Sequence, residues 1–145
     1  MDFIDRLITA ITETHPLHPM IVHFPIALSG AAALFVLLAV WKKNDLFEQM
    51  AFANLVLAFF GAIAAGITGI MDNQANYVGD APNAGLKILL ASVMLVIAGL
   101  TAVVRWRRPD VFHSSGRALY IGGYLISFVI ALVLAFLGGV ILYGF

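Results

Sequence analysis

Three of the four histidines in this 145-residue chain lie within one short stretch, at His15, His18 and His23. Imidazole is the commonest metal ligand in proteins, and its charge changes near neutral pH. His23 lies about one helical turn inside an apolar segment, where an unpaired ionisable side chain is costly and indicates a function by default. The stretch predicts a haem or metal site built from His18 and His23, with His15 as a supporting ligand.

An acidic side chain is expected to complete this site. The second apolar segment returns to the side of the membrane from which the first one starts, and Asp72 lies at its end. Asp72 is predicted to be a further metal ligand, or to fix the tautomer of an imidazole through its second nitrogen. We expect His23 to face the interior of the helix bundle, with Asp72 within direct or one-water hydrogen-bonding reach.

A purely structural interpretation of the same residues stays open. In it, His23 donates a hydrogen bond to a carbonyl or to Asp72, and His15 and His18 lie at the membrane interface. The spacing of the histidines matches no standard zinc pattern. His113 lies in a separate basic loop and is expected to be an ordinary loop histidine.

Three prolines, Pro16, Pro19 and Pro25, lie within or next to the histidine stretch. Pro16 and Pro19 are expected to delay the helix start to about His18, because proline lacks an amide donor and restricts the residue before it. The first two histidines would then lie in a loop or cap. Pro25 cannot donate to the carbonyl of Ile21, so we expect a kink beside the third histidine.

The composition places the chain in the membrane class. It is 62% hydrophobic and 11% charged, with a mean hydropathy of +1.00, whereas soluble domains carry about 25% charged residues. The formal net charge is zero, so the chain lacks the excess of basic residues that nucleic-acid binding requires. The absence of cysteine excludes disulfides, thiolate metal sites and thiol catalysis. No serine–histidine–carboxylate set or phosphate-binding glycine loop is evident, so we expect no catalysis by this chain alone.

Four apolar segments reach the length of about 20 residues that a spanning helix needs. They cover residues 19–41, 49–71, 87–104 and 119–143. Inside lipid each must be helical, because every backbone amide has to be bonded within its own segment. The predicted fold is an all-α membrane protein, with four transmembrane helices in an antiparallel bundle that form a single domain over residues 1–145.

Residues 1–14 predict an additional amphipathic helix. Ile4, Leu7, Ile8 and Ile11 recur at helical spacing, with polar residues on the opposite face. This helix is expected to lie flat at the membrane interface; docking on a partner protein is the alternative.

Basic residues set the expected orientation. Six lie after the first and third segments: Lys42, Lys43, Arg105, Arg107, Arg108 and Arg117. The opposite side has only Arg6 and Lys87. The positive-inside rule therefore predicts that both basic loops face the cytoplasm and that both termini lie outside.

The run from His15 to Leu28, His-Pro-Leu-His-Pro-Met-Ile-Val-His-Phe-Pro-Ile-Ala-Leu, resembles the opening signature of a bacterial membrane family, domain of unknown function 2231. Residues 68–72 and 138–144 also resemble that family, and together the resemblance covers nearly the whole chain. It implies a four-helix inner-membrane protein with the motif residues gathered on one side. Some relatives are joined to cytochrome-type or Rieske-type domains, and this association implies a redox setting.

The chain departs from this family pattern at two positions. Many members carry a histidine early in the third span, where this sequence reads Leu-Leu-Ala-Ser at residues 89–92. Many also have a histidine after the final glycine–tyrosine segment, whereas this sequence ends at Phe145. The resemblance therefore does not carry a full haem ligand set over to this chain.

Three function classes follow. The first is a membrane module that binds haem b or a transition metal ion at the periplasmic face, in electron transfer or metal handling, with a redox protein or a second copy as partner. The second is a non-catalytic structural or assembly subunit of a membrane complex. A small oligomeric channel or carrier has the least support, because no charged ring is evident. In every case the lipid bilayer surrounds the chain.

Overall fold

The computed structural model describes residues 2–5 and 17–143, which contain four long helices and no strand. The helices are α1 (Leu17–Lys42), α2 (Asp45–Tyr77), α3 (Ala84–Arg107) and α4 (Arg117–Tyr143), with a single 3-10 turn at Val111–His113 between the last two. All four helices are long and apolar enough to cross a membrane. The predicted all-α fold and its four spans are confirmed. Residues 3–5 are helical, and the rest of the predicted interfacial helix, with His15, lies outside the described residues.

The helices form a bundle in which α1 contacts α2 and α4, and α3 also contacts α2 and α4. Helices α1 and α3 are therefore diagonal neighbours. We call the end of the bundle where α1 and α3 begin the histidine end. The opposite end, where α2 and α4 begin, is the arginine end.

The second helix is longer than predicted, because it continues from residue 71 to Tyr77. Asp72 therefore lies inside the helix and not in the following loop, and it accepts a 2.6 Å hydrogen bond from the side-chain amide of Asn76. The helix ends where Val78 and Gly79 take positive φ values of 53° and 85°. A left-handed turn of this kind is a common helix terminator. Asp72 and the polar side chains after it end the apolar segment of the sequence, but α2 continues through them.

Close packing of small residues joins α1 to α2. Buried alanines on both helices, at Ala32, Ala39, Ala51 and Ala58, allow the two backbones to approach. In a membrane the hydrophobic effect does not drive helices together, because lipid chains are as apolar as the side chains. Close van der Waals packing of this kind stabilises the helix pair instead.

Pro25 is accommodated by a glycine on the facing helix. The α1 helix is continuous through this buried proline. A Cβ added to Gly61 would lie 3.3 Å from Pro25 Cδ, which is closer than ordinary contact. Small residues of α2 thus face neighbouring helices at Gly61 and at the buried Ala65, whereas Gly66 has open space where its Cβ would lie.

A neighbouring pair of glycines on α4 tests this packing. A Cβ on Gly123 would collide with the Thr101 side chain of α3, whereas a Cβ on Gly122 would meet nothing within 4 Å. Overpacking costs about 1–3 kcal/mol, while alanine is intrinsically better than glycine in a helix. We expect Gly123→Ala to lower the thermal unfolding midpoint in detergent and Gly122→Ala to leave it unchanged or raise it. Equal midpoints for the two variants would contradict the α3–α4 packing.

Candidate functional site

His18 lies in the first turn of α1, not in the loop or cap that its flanking prolines predicted. Pro19 is compatible with this position, because the first amides of a helix have no partner within the helix. The imidazole packs on α2. A Cβ added to Gly69 would lie 2.9 Å from His18 Cε1, so the absence of a side chain at Gly69 makes room for the ring.

His18 hydrogen-bonds to a side chain of α2. Its Nδ1 lies 3.3 Å from Thr68 Oγ1. The Thr68 hydroxyl donates to the carbonyl of Ala64 at 3.0 Å, so its oxygen is left to accept from the ring. When the hydroxyl donates to that carbonyl or to the carbonyl of Ala65, 3.2 Å away, Nδ1 of the neutral His18 ring is the donor to Thr68 and the lone pair is on Nε2.

Two charged groups from other helices lie near His18. The charges of Asp72, on α2, and Lys87, in the first turn of α3, both act on the His18 ring and on each other. All three side chains are half-buried. The histidine end therefore brings together an imidazole, a carboxylate and an ammonium group from three helices. The ammonium group of Lys87 opposes binding of a cation at His18.

The prediction that His23 faces the bundle interior is wrong. The side chain is exposed on the outer surface of α1, and Asp72 bonds to Asn76 of its own helix. The physical reason is helix geometry. Positions five residues apart are separated by about 140° around the axis, so a helix that turns His18 toward α2 must turn His23 away from it.

His23 is held by its own helix. Its Nδ1 contacts the carbonyl oxygen of Pro19, one turn earlier. A carbonyl can only accept, so Nδ1 carries the proton and Nε2 keeps the lone pair. The neighbours Met20 and Phe24 are 56% and 67% exposed, which makes the surface around the imidazole apolar.

The predicted ligands do not form a compact cation cage within the part of the chain that the structure describes. No group of three or more histidine, cysteine, aspartate or glutamate side chains there could hold a metal ion. What residues 17–143 provide is two imidazoles on different faces of α1, each with Nδ1 hydrogen-bonded to a protein oxygen.

A second polar cluster lies at the arginine end, and sequence reasoning missed it. Glu48 of α2 is only 3% exposed and forms a two-pronged ion pair with Arg105 of α3, with distances of 2.6 Å to Nε and 3.0 Å to Nη2. Tyr120 of α4 donates to the same carboxylate at 2.6 Å. The hydroxyls of Tyr120 and Tyr124 are 2.6 Å apart. Since the first donates to Glu48, the second donates to the first.

The signal for this cluster was present in the sequence. Glu48 directly precedes the second apolar segment, and Arg105 directly follows the third, so topology brings both to one end. The tyrosines are four residues apart and thus share a helix face.

A third contact at this end lies on the surface. His113 Nε2 is 2.9 Å from Asp45 Oδ1, and both side chains are 62% exposed. His113 behaves as the predicted loop histidine, and it holds the α3–α4 connection against the start of α2.

Two acidic residues at the arginine end, Glu48 and Asp45, give a matched pair of substitutions. Glu48→Ala leaves Arg105 without its partner, and breaking a buried pair in this way costs about 3–5 kcal/mol. Asp45→Ala removes an exposed pair, which contributes about 0–1 kcal/mol. We expect chemical denaturation in detergent to show a large loss for Glu48→Ala and a small one for Asp45→Ala. Comparable losses would show that the cluster does not stabilise the bundle.

Comparison with known proteins agrees with this architecture. Residues 14–145 match the family model DUF2231, described as a predicted membrane protein. No curated protein and no solved structure matches the chain. Since the family match covers all but the first thirteen residues, the chain belongs to the DUF2231 family of membrane proteins.

Proposed function

We propose that this protein is a membrane module that binds haem or a transition metal ion at its histidine end, in electron transfer or metal handling. One observation carries the proposal: the Nδ1 atoms of His18 and His23 each hydrogen-bond to a protein oxygen, and the carbonyl partner of His23 can only accept. Metal-ligating histidines are usually held in this way, with the second nitrogen donating to a carbonyl, carboxylate or water. The lone pair on Nε2 is then oriented and ready to coordinate.

The two imidazoles have different parts in this proposal. His23 is the main ligand, because its Nε2 lies on an accessible apolar surface. His18, His15 and Asp72 are supporting members. His18 already contacts Thr68 and lies near the positive charge of Lys87. It is therefore better suited to shaping the site than to binding a cation directly.

A structural or assembly subunit is the second candidate. It is favoured by the absence of a three-ligand cluster among residues 2–5 and 17–143. In that case the hydrogen bonds of His18 and His23 serve only to stabilise α1.

The ligand content of purified protein distinguishes the two candidates. We expect a haem absorption band, or stoichiometric metal by elemental analysis, that is lost in His23→Ala and reduced in His18→Ala. His113→Ala, at the arginine end, is the control and should retain the ligand. Bound metal should be released on acidification, because protonated imidazole cannot coordinate. If His23→Ala and His18→Ala keep the parental ligand content but unfold more easily, the histidines are structural.

The proposed site faces the periplasm if the protein lies in the inner membrane with both termini outside. The basic residues at the arginine end support that orientation. We expect a periplasm-dependent reporter fused after Phe145 to be active and the same reporter inserted after Lys43 to be inactive. The opposite pattern would place the histidine end in the cytoplasm.

A further inference from the structure

We propose that the arginine end binds the phosphate groups of anionic lipids through two basic clusters, each made of one tryptophan and two cationic side chains. The first basic cluster is residues 41–43, Trp-Lys-Lys, at the end of α1. The second is residues 106–108, Trp-Arg-Arg, at the end of α3. Both lie at the opposite end of the bundle from the proposed haem or metal site, and this inference does not depend on that site.

The two helices that run from the histidine end to the arginine end finish in the same way. In both, a tryptophan is followed directly by two cations. Trp41 is 73% exposed and Trp106 is 80% exposed. Tryptophan is enriched where a span leaves the hydrocarbon region, because its amphipathic ring lies at the level of the lipid headgroups. Each pair of cations therefore lies beside a residue that marks the headgroup layer.

The cations of both clusters are exposed and form no ion pair with any residue that the structure describes. The ion pairs at this end join Arg105 to Glu48 and His113 to Asp45. These contacts occupy both acidic residues at the start of α2. Asp110 is the remaining acidic side chain near the clusters. The surface of the arginine end is thus left with an excess of positive charge.

Anionic lipid headgroups match this surface in charge and in position. Basic side chains next to a spanning helix are attracted to the negative surface of a bilayer that contains anionic lipids. Arginine presents a fork of N–H donors that fits a phosphate group, and lysine binds phosphate as a compact charge. The indole N–H of each tryptophan is a further donor at the same level.

The arrangement of the helices favours lipid over an acidic protein as the partner. Helices α1 and α3 are diagonal neighbours, so the two basic clusters lie on opposite sides of the bundle. Lipid surrounds the bundle and contacts both sides at once. A protein partner would have to extend across the whole arginine end to engage both clusters.

Cations at the end of a helix also interact with its free carbonyl groups. Lys42 and Arg107 lie in the last turns of α1 and α3, whereas Lys43 and Arg108 follow the helices. Interaction with the helix alone requires no lipid and predicts no difference between anionic and zwitterionic headgroups. The choice of headgroup therefore separates the two roles.

The chain has only two tryptophans, and one lies in each basic cluster, so intrinsic fluorescence reports on both clusters without a label. Full-length protein is reconstituted in phosphatidylcholine vesicles that contain the same fraction of a nitroxide-labelled quencher lipid, with either a phosphatidylglycerol or a phosphatidylcholine headgroup. We expect several-fold preference for the anionic quencher, reduced at high salt because exposed charges are screened. Equal quenching by the two lipids would overturn the proposal and leave an acidic protein as the partner to test.

Charge substitutions that keep both tryptophans complete the experiment. A variant with Lys42→Gln, Lys43→Gln, Arg107→Gln and Arg108→Gln should lose the preference for the anionic quencher. Exchanging lysine and arginine at the same four positions keeps the charges and should keep the preference, as should the control Lys87→Gln at the histidine end. A glutamine variant with parental helical circular dichroism and parental preference would overturn the proposal. If that variant does not fold, the unchanged protein decides, because a preference that persists undiminished at high salt would contradict contacts made by exposed cations.

Discussion

The cost of leaving a buried charge unpaired governs this structure. The Glu48 carboxylate is where that cost is greatest, because it is almost fully buried near the end of a spanning helix. Arg105 and Tyr120 offset it from two other helices. Because these hydrogen bonds are directional, they fix the relative positions of α2, α3 and α4 at the arginine end. Helix α1 joins them by a different means, through buried alanines and the fit of Pro25 against Gly61.

The same constraint explains the histidines at the opposite end. Each imidazole has one nitrogen bonded to a protein oxygen, at Thr68 or at Pro19, and the other nitrogen keeps its lone pair. For His18 the surrounding helices provide a polar setting. For His23 they do not, because it lies on the outer surface of α1. The packing of α1 thus leaves the Nε2 lone pair of His23 oriented on an apolar surface. The proposed binding of haem or metal depends on that lone pair.

The spans were predictable because bilayer thickness and backbone hydrogen bonding leave few alternatives. The end of α2 was not predictable in this way. Asp72 and its polar neighbours end the apolar segment of the sequence, but the helix continues through them. The position of His23 was predicted from depth alone; its spacing of five residues from His18 already indicated a different face. The Glu48 cluster was accessible from topology and tyrosine spacing. The buried Ser127 hydroxyl, which has no hydrogen-bond partner within the described structure, depends on the exact placement of neighbouring helices and leaves no trace in sequence.

The neutral His23 ring has its proton on Nδ1, toward the carbonyl of Pro19, and its lone pair on Nε2. Nitrogen-15 NMR of histidine-labelled, ligand-free protein in bilayers at mildly alkaline pH reports this directly, with the signals assigned by comparison with His23→Ala. We expect a protonated Nδ1 and an unprotonated Nε2 for His23, as for His18. A proton on Nε2 of His23 would contradict it, because that nitrogen would then have no lone pair to offer to a ligand.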